Sequence, residues 1–318
     1  MSTTTPSAAA SPTYAQPGPN VVGITTVHLS TRVIDVFYPA RRGSQSGVPQ
    51  ATYDLREPLR DPLGPPPGGS DAELVSLPAY RDLPAAAGSF PVVLFSHDLG
   101  GFPLQDASLE SSIAAWGFVV IAPDPVERDM FALSKGRAQV DDVHDAKVLF
   151  SAMSLMTRFP RIGRAMDLSH VAAVGHAQGG GAAMAALGLP GVGAAVAWAS
   201  SKPSAPVVKK PVMLIGAQHD LEFGTKVQSG IYSALKGPHS LVLLGGDAGN
   251  ARSIAPIGRE TRSSPSPRTG VFPARSSHES CGPRSRTSRS RSSGRCSAST
   301  HNPSGSATRS RRRSRRFR

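Results

Sequence analysis

The sequence predicts an α/β protein built as a three-layer sandwich around a mostly parallel sheet of roughly eight strands. Three observations carry that expectation. Short apolar runs alternate with helix-period segments from Val21 to about Asn250, which is the grammar of βαβ units. From the third run onward several runs are continuous rather than alternating, as expected of strands covered on both faces. Past Asn250 the pattern stops and the composition changes abruptly.

The expected strands are Val21–His28, Arg32–Tyr38, Pro91–Ser96, Phe118–Ala122, Val171–Gly175, Ala194–Trp198, Val212–Gly216 and Leu241–Leu244. Most are rich in Val, Ile and Phe and end in Gly, Pro, Ser or His. Only a few residues join the first two, so they read as an antiparallel start. The expected helices are Gln105–Trp116, Val140–Thr157, Gln178–Leu187 and Thr225–Leu235. In the second, Ala146, Leu149, Phe150 and Met153 share one face at helical spacing. Residues 1–20, mainly Ser, Thr, Ala and Pro, read as a loose arm, and residues 41–72 as a long Pro/Gly-rich loop.

Charge divides the chain in two. Residues 251–318 hold 17 Arg, no Lys, no Asp and two Glu, a formal balance of +15. The whole chain carries +13, which leaves the first 250 residues at −2. The basic character therefore belongs to the tail and does not make the folded part a nucleic-acid binder. Both cysteines, Cys281 and Cys296, also lie in the tail, so residues 1–250 have no disulfide framework and no thiolate metal site. The tail's only Leu, Ile, Val or Phe residues are Ile254, Ile257, Val271, Phe272 and Phe317, five of 68. That is far below the roughly 20% that marks disorder in a highly charged segment, and disorder is expected there. No apolar stretch reaches the roughly 18 residues of a membrane span, and the first residues do not read as a signal peptide. A soluble, cytoplasmic protein is the expectation.

The sharpest local signal is Val171-Ala-Ala-Val-Gly175-His176-Ala177-Gln178-Gly179-Gly180-Gly181. An apolar strand runs into a Gly-x-x-x-Gly turn and then into a helix of small residues. This is the pattern of a nucleophile elbow. A tight, strained turn holds its central residue with the tip exposed above the sheet. Glycines two residues either side relieve crowding, and the helix N-terminus offers an N–H to a developing oxyanion. A catalytic elbow carries Ser, Cys or Asp at the centre; this one carries Ala177.

With these motifs in order, the chain resembles the α/β-hydrolases. The nearest groups are the dienelactone-hydrolase, cutinase-like and platelet-activating-factor-acetylhydrolase-like esterases. Gly18-Pro19-Asn20-Val21-Val22-Gly23 and Val36-Phe37-Tyr38-Pro39-Ala40 resemble their opening strands. Phe90 to Gly101 resembles the oxyanion-loop strand, which usually reads SHGxGG; Asp98 stands where that pattern has Gly. Gly117 to Asp124 resembles the next strand, and Pro211 to Asp220 the strand that ends in the triad acid. The resemblance implies carboxylic-ester hydrolysis by a Ser-His-Asp triad, with no cofactor and no metal. Residue by residue, Asp220 matches the acid and the N–H groups of Leu99 and Gln178 match the oxyanion hole. Ala177 stands at the nucleophile, and Asn250 is the nearest match for the His. Two of three triad positions therefore lack their chemistry, since a methyl cannot attack and an amide cannot take the proton. An inactive or nearly inactive esterase relative is expected. The alternatives are a non-catalytic fold binding a small ester or apolar ligand, and an Arg/Ser-tailed nucleic-acid adaptor.

Other candidates carry weaker readings. His239 precedes the last strand, at the wrong end of a parallel sheet. His97 and His219 sit nearer the site, and local hydrogen bonding is the better account of both. His176 reads as a packing residue, Ser200 and Ser201 as a turn, and Trp198 as core or pocket wall. Asp141, Asp142, Asp145 and His144 read as helix-start groups rather than a metal cluster. For the tail, three readings stay open: phosphate contacts with nucleic acid, a solvated tail, and out-of-frame translation. The last best joins the abrupt change to a fold that still needs its His loop and last helix. A lost helix would uncover one face of the sheet, which predicts poor solubility or aggregation.

Overall fold

The computed structural model describes residues 13–61, 64 and 73–245, all within the first of the chain's two units, Met1–Arg262. Asn250 and the whole of 251–318 lie outside the described residues, as do 1–12 of the expected arm.

Eleven strands and six α-helices follow one another in the described residues. The opening strands are β1 (Val21–His28), β2 (Val33–Ala40), β3 (Thr52–Asp54), β4 (Leu74–Ser76) and β5 (Tyr80–Arg81). Then come β6 (Phe90–Ser96), α1 (Ala107–Ala115), β7 (Val119–Pro123), α2 (Met130–Ser134), α3 (Asp142–Met156) and α4 (Pro160–Gly163). The last third holds β8 (Met166–His176), α5 (Gln178–Ala186), β9 (Val192–Trp198), β10 (Val212–Ala217), α6 (Thr225–Ala234) and β11 (His239–Leu244).

Nine strands form one sheet in the order β11-β10-β9-β8-β6-β7-β2-β1-β5, and β3 and β4 form a separate ribbon. Pairing is parallel from β11 to β7 and antiparallel where β2 meets β7 and β1. The antiparallel start is as expected, with Val21 opposite Ala40 and His28 opposite Val33. The ninth strand, β5, corrects the expected eight: two residues laid parallel to β1 through Gly23 and Ile24. No two-residue strand has a period to read.

Alternation along each central strand feeds two cores. Val92 and Leu94 of β6 pack with Ile121, Ala173, Leu149, Met153, Met184 and Leu187, on the α3 and α5 face. Val93 and Phe95 of the same strand pack with Val120, Val174, Leu104, Ala107 and Ala114, on the α1 face. These two faces make the three layers. At the far end of the second face, Met213 and Val242 are each 37% exposed, and no described helix covers them. Large apolar side chains left open there favour association.

Strand β8 is longer than expected. Its first residues, Met166–His170, mix apolar and polar side chains, and Met166 and Asp167 pair with Phe90 and Pro91 before the register shifts at Val92. Helices α2 and α4 were not expected. Each is short and locally encoded: Asp129 caps α2 by accepting from the Ala132 N–H at 2.5 Å, and Pro160 opens α4. Residues 13–20 lie on α1. Tyr14 meets Trp116 edge-on at 4.7 Å, and Asn20 donates through its backbone and its side chain to the Ala115 carbonyl.

Asp35 of β2 is buried, and among the described residues its one side-chain hydrogen bond is donated by Thr26 Oγ1, at 2.5 Å. Burial pushes its pKa up to about 6. A raised folded-state pKa means the protonated form stabilises the fold below about pH 4, and this contribution is lost as pH rises through about 6. Asp35→Asn removes that loss. Relative to the parent, its unfolding free energy should rise between about pH 4 and pH 8 by up to about 3 kcal/mol. Urea unfolding across that range measures it, and a flat difference would contradict the assignment.

Candidate active site

One residue separates β8 from α5. Ala177 has φ +49° and ψ −112°, a conformation that L-residues rarely adopt. Its N–H donates to the Trp198 carbonyl at 3.0 Å, and its own carbonyl accepts from Gly180 and Ser201, each at 3.0 Å. The glycines either side are required by backbone contact. A Cβ on Gly175 would lie 2.0 Å from the Gly179 carbonyl oxygen, and one on Gly179 would lie 2.0 Å from that of Ser96. The turn is a strained strand-to-helix connection closed by backbone contact at both glycines, and it differs from the expectation in one respect. The tip was expected to be exposed, and Ala177 is 0% exposed.

The loop after β6 forms the facing wall. Gly100, at φ +70°, donates to the Arg128 carbonyl at 2.8 Å, and Gly101 donates to the Asp98 carbonyl at 3.0 Å. Arg128 is itself 0% exposed. Its guanidinium donates to the His97 carbonyl at 2.6 Å, to Ser96 Oγ at 2.8 Å and to the Asp145 carboxylate of α3. Burial pushes the Asp145 carboxyl up, and the Arg128 charge opposes that shift. Sequence reasoning missed Arg128, because its partners come from β6 and α3, far from it in the chain.

The two N–H groups expected to form the oxyanion hole do converge. Both point at one atom, Oδ1 of Asp98, from Leu99 at 2.6 Å and from Gln178 at 3.3 Å. The residue that departs from the loop pattern therefore fills the space between the donors, and it is 4% exposed.

Asp220 lies in the turn after β10, at the same end of the sheet. Its Oδ1 accepts from the Glu222 and Phe223 N–H groups, both at 2.9 Å, while the buried Oδ2 has no partner among the described residues. One oxygen is fixed by the turn and the other is left for a donor. The expected partner position, Asn250, lies outside the described residues.

The remaining candidates are engaged elsewhere or distant. His97 is buried, with Nδ1 2.8 Å from the Asp98 carbonyl and Nε2 3.2 Å from Asp124. His176 is buried and stacks on Trp198, with ring centroids 4.9 Å apart. His219 is exposed. His239 pairs with Val212 at the start of β10, the opposite end of the sheet. Ser200 Oγ donates to the Ser201 carbonyl at 2.8 Å; Ser201 sits beside the elbow with its buried Oγ unpartnered among the described residues. Asp141 caps α3, and Asp142 accepts from the Ser204 N–H at 2.7 Å. His144 lies 3.4 Å from Glu127. Beside the oxyanion loop opens a cavity of about 520 Å³, lined by Val33, Tyr53, Phe102, Leu104, Asp124 and Asp129 among others.

A parallel sheet flanked on both faces, a strained strand-to-helix elbow and two converging N–H groups define an α/β-hydrolase. Residues 75–213 match the model of the chlorophyllase family, and the chain is an α/β-hydrolase related to ester hydrolases. Among solved structures it is similar to a ferulic acid esterase from Streptomyces cinnamoneus, with a TM-score of 0.55 and 18% identity. That match covers 72% of this chain and 75% of the esterase. No curated protein sequence matches the chain.

Arg128→Met would leave Asp145 buried without its partner. The expected loss is about 3–5 kcal/mol of unfolding free energy, read from urea midpoints. Adding Asp145→Asn should recover most of it. An Arg128→Met protein as stable as the parent would remove the pair from its structural role.

Proposed function

We propose that this chain is an esterase-type α/β-hydrolase without ester turnover. The observation that carries the reading is the methyl group of Ala177 at the centre of a retained elbow. An ester hydrolase of this class needs an oxygen or sulfur there to attack the carbonyl, and an imidazole to take its proton. Asp220 keeps the geometry of a triad acid, with Oδ2 unpartnered among the described residues. Asn250, the nearest match for the imidazole, is an amide and cannot act as base. Leu99 and Gln178 are the oxyanion donors of this reading.

What remains is binding. The cavity of about 520 Å³ beside the oxyanion loop, walled by Tyr53, Phe102 and Leu104 together with charged groups such as Asp35, Arg60, Arg81 and Asp129, is the space this reading assigns to a small ester-like or apolar ligand. Nucleic acid meets the chain only non-specifically, through the 17 arginines of residues 251–318. A reducing, cytoplasmic setting suits a folded part with no cysteine in its first 250 residues.

The purified full chain should hydrolyse p-nitrophenyl butyrate no faster than a no-protein blank, and Ala177→Ser alone should not change that. Clear turnover by the unaltered chain would sink the reading. Full activity in Ala177→Ser would show that an imidazole does reach Asp220. Binding to a random DNA duplex should weaken by at least about 10³-fold between about 50 and about 200 mM salt, as the loss of many phosphate contacts requires. A salt-independent preference for one sequence would contradict the tail reading.

A further inference from the structure

The oxyanion hole of this chain is not open. Leu99 and Gln178 come from different elements, the loop after β6 and the first turn of α5, and converge on one oxygen. That oxygen belongs to Asp98, so the donors that would stabilise a developing negative charge already hold a full one. Charge-assisted hydrogen bonds from backbone N–H groups to a carboxylate are strong, and the α5 N-terminus adds a favourable dipole. The carboxylate is also tethered, since Asp98 directly precedes Leu99. It competes with any free ligand at an effective concentration of at least about mM.

We propose that Asp98 is the resident anion of this site: its carboxylate occupies the oxyanion hole and bars ester carbonyls and free carboxylates from it. This block is separate from the missing nucleophile. It lies in the loop rather than in the elbow, and it concerns what the site holds rather than whether a bond is cleaved. It accounts for Asp at the one place where the SHGxGG loop pattern is broken: a residue there needs a side chain long enough to reach both N–H groups. The consequence is a change of ligand class. A group that needs two donors is excluded, and the site is left to ligands recognised by shape and apolar contact.

The test is anion binding to the full chain, which reads occupancy of the hole directly and can fail while the absence of turnover, the functional reading, still stands. Sodium benzoate and sodium phenylphosphonate are titrated by calorimetry into the parent, Asp98→Gly, Asp98→Ala and Asp98→Asn. Thermal unfolding first establishes that each variant is folded. The arginine-rich tail is common to all four, so differences between them report on the loop. Asp98→Gly and Asp98→Ala empty the hole and should bind both anions at least about tenfold more tightly than the parent, a difference of about 1.4 kcal/mol. Asp98→Asn removes the charge but keeps an oxygen between the donors, and should bind as weakly as the parent. If Asp98→Asn binds as tightly as Asp98→Gly, charge rather than occupancy excludes anions and the proposal fails. It also fails if the parent binds as tightly as Asp98→Gly, or if both emptied variants are folded and gain nothing.

Discussion

The approach of three backbones at the elbow is the constraint on which the site depends. Strand β8 must pass α5 at Gly175, and α5 must pass β6 at Gly179, with no room for a Cβ at either place. These contacts set the position of α5, and α5 sets the direction of the Gln178 N–H. They also bring Gln178 within hydrogen-bond distance of a carboxylate on the neighbouring loop. Gly180 and Gly181 extend the same requirement, since a Cβ on either would strike Ser200 or Asp142. The run of small residues is therefore a packing requirement before it is a catalytic one.

A second constraint holds the loop that faces the elbow. Arg128 reaches back beneath it to bond the His97 carbonyl and Ser96, and is anchored in turn by Asp145 at the start of α3. A buried charge with no counterion is costly, so this pair forms only when β6, α3 and the segment after β7 are all in place. The network links the core on the α3 side to the loop on the opposite side of the sheet's end. It holds the loop through the His97 carbonyl, while Gly100, in the left-handed region, makes its turn.

Much of the architecture was legible in the sequence. Short apolar runs located all eight expected strands, and the Gly-x-x-x-Gly spacing marks the strained strand-to-helix turn at Ala177. Local caps set the start of α3, where Asp141 accepts from two N–H groups at 3.0 Å. What the sequence did not disclose is of another kind. Strand β5 is too short to carry a period, and the head of β8 mixes apolar and polar residues ahead of a register shift against β6, so it carries no continuous apolar run. Arg128 acts through partners 17 to 32 residues away, and one of the two donors to Asp98 lies 80 residues on. A departure such as Asp98 is visible in the letters as a mismatch; that its oxygen lands between two donors is a property of the folded chain alone.

The strained turn at Ala177 raises a question that chemistry does not answer. Backbone in this region costs of order 1–3 kcal/mol and usually persists where function repays it. Here the side chain has no reactive atom, yet the turn is kept. The glycine contacts supply a reason. Ala177 is gripped by Trp198, Gly180 and Ser201, and lies between two glycines whose neighbours fix the paths of β8 and α5. Relaxing one residue would shift a helix packed against both β6 and β8, at a greater cost than the strain itself. The elbow conformation is therefore imposed by the packing around it and does not require a nucleophile. The turn keeps its strained geometry with a methyl group at its centre, so that geometry does not by itself report a nucleophile.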